Sequence, residues 1–242
     1  MDLRQRTGAI LLLPLLTLGG PRAEAPGIPP FSSLTDLSQG GWEPLVFPKI
    51  DQTTEYRLVT EDGTQVVQAN TRGGASGLIH RLHRPVTGDL TLSWRWKVAN
   101  TYPHGDARHK AGDDYPARVY VAFEFQPERA GFFERAKRKA VEVLFGETLP
   151  GNALNYIWAN RLPRGTRIAN AYTDRTVMIA VESGPEAAGQ WRMERRNLAR
   201  DYREAFGETP PAIVGIAIMS DADNTGEQAT AWYGDLVLTA DQ

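Results

Sequence analysis

The sequence predicts an all-β protein, an antiparallel β-sandwich of the jelly-roll type, with one helical insertion near 130–145 and a short helix near 199–206. Three observations carry this reading. Apolar and polar residues alternate along most of the chain, the period of a strand that buries one face. Turn-forming clusters separate the alternating runs, at Asp62-Gly63, Gly73-Gly74, Pro163-Arg164-Gly165 and Pro210-Pro211. Strands do not alternate with helices, so a sheet wound from βαβ units is not expected.

Taken in order, the first 25 residues read as a secretory signal peptide. Arg4 and Arg6 give it a positive start, Ala9 to Leu18 an apolar run, and Ala23-Glu24-Ala25 a small-x-small cleavage site. The apolar run falls short of the roughly 20 residues that span a bilayer. Residues 26–242 then form one sandwich domain, expected to be exported to a bacterial periplasm with no transmembrane segment after cleavage. Leu90, Leu92, Trp94, Trp96 and Val98 alternate with polar residues, as do Val119, Val121, Phe123 and Phe125 with Arg118, Tyr120, Ala122 and Glu124. Further strand runs lie near 54–59, 64–70, 152–159, 175–182, 189–197, 212–219 and 229–238. Phe132, Phe133, Ala136, Ala140, Val143 and Leu144 have helical spacing with basic residues between them, which predicts a helix capping one end of the sandwich. Ala199 to Phe206 predicts a connector helix stopped by Gly207.

Composition narrows the chemistry. The chain of 242 residues carries 27 basic and 29 acidic groups, a formal charge of −2. Without a basic excess to neutralise phosphates, nucleic acid is not an expected partner. There is no cysteine, which removes disulfides, thiol nucleophiles and cysteine-ligated metals.

Four places hold residues that bear on function. In Trp94-Arg95-Trp96-Lys97 the alternation sends both indoles to one sheet face and both cations to the other, so Arg95 and Lys97 are candidate ligand contacts. Asp113 and Asp114, followed by Arg118 at a strand entry, form a second candidate contact set; two adjacent carboxylates need a cation, an arginine or a raised pKa between them. The run Asp221-Ala222-Asp223-Asn224-Thr225-Gly226 begins like a calcium loop but has Trp232 where the bidentate acid should stand. Calcium is therefore weighed as a cofactor held by Asp221, Asp223, Thr225 and Asp235 rather than by a helix–loop–helix hand, with an Asx-rich turn as the alternative. Last, Tyr233 and Asp235 sit together in the final strand run, where Tyr233 is a candidate ligand contact and a buried Asp235 would need a partner.

At Trp94-Arg95-Trp96-Lys97, Gly112 to Phe123, Tyr156-Ile157-Trp158-Ala159, Asp201 to Gly207, Ser220 to Gly226 and Tyr233-Gly234-Asp235, the chain resembles a family of exported bacterial proteins catalogued as domain of unknown function 3047. That resemblance implies a secreted domain and assigns no catalytic residue. Gly40-Gly41-Trp42 and Tyr233-Gly234-Asp235-Leu236 are similar, more loosely, to the ends of galactose-binding-like jelly rolls and carbohydrate-binding modules. This second likeness implies a glycan or envelope polysaccharide as ligand and a structural calcium. Two alternatives stand beside it. One is a polysaccharide hydrolase using Asp113 or Asp114 with Asp221 or Asp223; the other is a periplasmic assembly protein using the 130–145 helix.

Overall fold

The computed structural model describes residues 27–131 and 150–240. The expected signal peptide, and nearly all of the helix expected near 130–145, lie outside the described residues. Two sheets face each other across one core. The first has seven strands, in the order β1 (Trp42–Leu45), β4 (Ala75–Arg84), β11 (Ile213–Asp221), β6 (Arg118–Phe123), β7 (Ala153–Ala159), β9 (Thr173–Ser183) and β8 (Arg167–Asn170). The second runs β10 (Arg192–Asn197), β5 (Leu90–Val98), β12 (Gln228–Tyr233), β3 (Thr64–Arg72) and β2 (Glu55–Glu61), with β13 (Val237–Ala240) also on β5. The helix expected near 199–206 is α1 (Leu198–Phe206). Asn197 caps it by accepting the Arg200 N–H at 2.8 Å, and Gly207 ends it at φ 72°.

The pairing departs from the sequence expectation in two places. First, β7 and β9 run parallel, Leu154 beside Val177 and Tyr156 beside Ile179. The chain leaves β7, forms β8, and turns back as β9; that hairpin inserts its second strand next to β7, so the direction repeats. Second, the run near 229–238 is two strands. Its ladder stops at Gly234, whose N–H donates to the Arg95 carbonyl at 2.8 Å, and resumes at Val237 opposite Ser93.

Strand alternation fills the core. Trp94 and Trp96 of β5 point inward and meet Tyr156 and Trp158 of β7, with ring centroids 5.2 Å and 5.9 Å apart. Trp42, Trp94, Trp96 and Trp158 are all buried. The sandwich has a third layer on one side. The loop between β5 and β6 folds over the outer face of the seven-stranded sheet, where Ala107 and Tyr115 pack on Ile157, Ala159, Met178 and Ala180. This cover brings Asp113 and Asp114 against the start of β6 and the end of β11. The outer face of the second sheet carries no comparable apolar cluster among the described residues.

Candidate functional site

The acidic loops meet at one end of the sandwich, around Arg118. Its Nε donates to Asp221 at 2.7 Å and its Nη2 to the second carboxylate oxygen. The same Nη2 reaches the Asp113 carbonyl at 2.7 Å, while Nη1 donates to the Tyr120 hydroxyl at 3.1 Å. The Tyr115 N–H donates to Asp221 at 3.1 Å, and the Tyr115 ring lies 4.2 Å beneath the guanidinium. Arg118, Asp113, Asp114 and Asp221 are all buried.

Asp114 does different work in the same cluster. Its carboxylate accepts the Thr225 N–H at 2.6 Å, the Asn224 N–H at 3.1 Å and the Asn224 side-chain amide at 3.0 Å. It therefore holds the 222–226 loop in place from outside, 110 residues away in sequence. Carboxylate oxygens of Asp114, Asp221 and Asp223 lie within 4.8 Å of one another. Partial burial, and then the Asp114 charge beside it, push the Asp223 carboxyl up.

Most of the oxygens expected to hold calcium are engaged within the chain. Calcium takes about 6–8 oxygen ligands. Here the oxygens of Asp114 already receive N–H donors, Asp221 receives a guanidinium and a backbone N–H, and Thr225 Oγ1 accepts the Glu227 N–H at 3.4 Å. The positive group at the centre is Arg118. Asp235 lies apart from this cluster: its carboxylate accepts the backbone N–H of Ser32 at 2.8 Å and the Ser32 hydroxyl at 2.7 Å. It ties the N-terminal segment to the break between β12 and β13. Tyr233 is buried inside the sandwich, where its hydroxyl donates to the Met219 carbonyl at 2.7 Å and accepts the Arg118 N–H at 3.3 Å. Tyr233 is thus part of the core, whereas Asp235 stays half-buried at the edge of the sandwich.

Arg95 and Lys97 lie elsewhere, on the outer face of the six-stranded sheet. That face also carries the two tryptophans that are outside the core, Trp191 and Trp232, both half-buried. The four side chains stack alternately. The Lys97 ammonium is 4.5 Å from the Trp232 ring and 5.2 Å from the Trp191 ring, and the Arg95 guanidinium is 4.6 Å from Trp191. Glu61 pairs with the Lys97 ammonium. Cross-strand register places Arg57, Gln68, Trp232 and Lys97 in one row across β2, β3, β12 and β5. The next row holds Glu55, Asn70 and Thr230. There the face deepens into a groove of about 690 Å³, lined by Glu55, Asn70, Arg72, Asn100, Gln228 and Thr230 among others.

Sequence reasoning placed Arg95 and Lys97 on one face and missed the rest of this surface. One signal was present: in Ala231-Trp232-Tyr233, alternation sets Trp232 opposite in sense to its neighbours, of which Tyr233 is core. The row that joins Trp232 to Arg57 and Lys97 depends on register between strands far apart in sequence, and carries no local signal.

The fold resembles several solved structures at low identity. A family 11 carbohydrate-binding module of the cellulosomal cellulase Lic26A-Cel5E of Clostridium thermocellum superposes with a TM-score of 0.44 at 9% identity, over 90% of this chain and 97% of that one. The cellulose induced protein Cip1 gives 0.42 at 10% identity, over 87% and 95%. TmCBM61, solved with β-1,4-galactotriose, gives 0.36 at 10% identity, over 85% and 94%. No curated protein matches in sequence. A family model does match, over residues 40–237, from the turn before β1 to the first residue of β13. The two-sheet frame, the Arg118-centred loops and the stacked outer face all fall inside that stretch, and the chain belongs to the family of proteins of unknown function DUF3047.

Proposed function

We propose that this chain is an exported saccharide-binding β-sandwich protein whose ligand lies on the outer face of the six-stranded sheet, across Trp232 and into the adjoining polar groove. One observation carries the reading. Four of the six tryptophans are buried, and the other two share a single face with the groove. Sugar rings need a flat apolar surface beside closely spaced hydrogen-bonding groups. Trp232 offers the first, and Gln68, Asn70, Thr230 and Gln228 offer the second. The hydrolase alternative is the weaker one, because Asp114 and Asp221 are engaged by the loop N–H groups and by Arg118. Export to the periplasm rests on the signal-peptide pattern of residues 1–25.

The test is depletion of the protein from solution by insoluble polysaccharides, peptidoglycan included, with new reducing ends measured in the same tubes. Depletion without new ends, lost in Trp232→Ala while the fold persists by circular dichroism, is the expected result. New reducing ends that survive Trp232→Ala would move the function to another site.

A further inference from the structure

Among the described residues, the face that carries the groove holds more basic than acidic side chains, the reverse of the chain as a whole. The protein as a whole has two more acidic than basic groups. Alternation places Arg57, Arg72, Arg95, Lys97 and Arg195 on the outer face of the six-stranded sheet. Against them stand Glu55, Glu61 and the turn residue Asp62. Most of these acids are already committed: Glu61 pairs with Lys97, and Asp62 accepts the Trp191 indole N–H at 3.0 Å. Among the described residues, Arg57, Arg72 and Arg95 are not matched by carboxylates. Arg57 donates to the neutral amide of Gln68 at 2.8 Å and 2.9 Å. Arg95 lies over the Trp191 ring, with its stem passing Gly234, where a Cβ would come within 2.5 Å of it. Arg72 lines the groove with no side-chain partner among the described residues.

The positions matter as much as the count. Arg57 and Lys97 end the row that Trp232 and Gln68 occupy in the middle. Neighbouring strands are about 4.8 Å apart, so the row spans roughly 14 Å. A chain laid along it meets a cation, a stacking surface and a second cation in turn. An arginine held away from carboxylates and presented on a rigid strand is a fork for an oxyanion.

Building on the saccharide reading, we infer that the ligand is an acidic polysaccharide, its carboxylate or sulfate groups taken by Arg57, Arg72 and Arg95 while one ring packs on Trp232. Lys97 is a positioning residue, sandwiched by both indoles and paired with Glu61.

The experiment compares polygalacturonate, alginate and dextran sulfate with their uncharged counterparts: fully methyl-esterified polygalacturonate, propylene-glycol alginate and dextran. Affinity electrophoresis or calorimetry on the full chain gives the constants. At least one charged form should bind about tenfold or more tighter than its neutral partner. That preference should fade by about 0.5 M salt, because exposed charges are screened. Arg57→Ala/Arg95→Ala should erase the preference, bringing the charged form down to the affinity of its neutral partner. Equal binding of charged and neutral forms overturns the inference and leaves the saccharide reading standing. No binding to any polysaccharide overturns both. Stronger retention of single-stranded DNA than of every polysaccharide also overturns it, in favour of a nucleic-acid surface.

Discussion

Arg118 and Asp221 are 103 residues apart in sequence and form a buried two-point ion pair at the mouth of the sandwich, Nε to Oδ1 at 2.7 Å and Nη2 to Oδ2. Arg118 opens β6 and Asp221 closes β11, adjacent antiparallel strands, so the pair joins two strand ends to the loops that leave them. Breaking it from one side strands a charge in a place that water does not reach.

Asp221→Ala should therefore cost about 3–5 kcal/mol in stability, the range for removing one partner of a buried ion pair. Chemical denaturation gives the number. Arg118→Met/Asp221→Leu should recover much of the loss, since no lone charge remains. A single-variant cost below about 1 kcal/mol would mean that the pair is solvated and does not hold the loops.

Chelation is a separate test of the same cluster. With Arg118 as the central cation and the Asp114 oxygens filled by loop N–H groups, EDTA should leave the melting temperature unchanged, and added calcium should not raise it. A fall in EDTA that calcium reverses would show that the carboxylates exchange these N–H partners for an ion.

A second buried acid predicts a pH effect. Glu194 of β10 points into the sandwich opposite Trp94, and burial pushes its carboxyl up to about 7 from 4.5, opposed by the Arg164 charge and reinforced by Glu182. Arg192, which reaches Glu182 at 3.3 Å, also faces it. The folded state thus holds this proton more tightly than the unfolded chain. Its contribution is fully present below about pH 4.5 and is lost as the pH rises through about 7. Glu194→Gln keeps the neutral form at every pH. Its melting temperature relative to wild type should rise steadily between about pH 5 and pH 8. A constant difference across that range would show that Glu194 titrates normally.

Asp235 makes a smaller prediction. Its two bonds to Ser32 fasten residues near the N-terminal end of the described chain, so Asp235→Ala should cost about 1 kcal/mol. Limited proteolysis should then cut before Trp42 sooner than in wild type. Identical cleavage would leave the tie with Ser32 without mechanical consequence.

The sequence determined what local periodicity can encode. Alternation in Leu90–Val98 fixed that Trp94 and Trp96 enter the core while Arg95 and Lys97 leave it, because successive side chains on a strand must point to opposite faces. The helix at Leu198–Phe206 was legible from its spacing and from Gly207. The tertiary structure decided whatever depends on register. Asp235 left the acidic cluster because the ladder breaks at Gly234, through a hydrogen bond to the Arg95 carbonyl that no local pattern shows. The parallel pairing of β7 and β9 followed from a hairpin choosing which of its strands to insert. Asp113, Asp114 and Asp221 could be expected to meet because loops at one end of a sandwich crowd together. That Arg118 would stand among them as their cation depended on β6 and β11 being neighbours. The row from Arg57 through Gln68 and Trp232 to Lys97 joins four strands drawn from separate parts of the chain. A strand records which way each side chain faces, and only the folded sheet records which side chains stand next to each other.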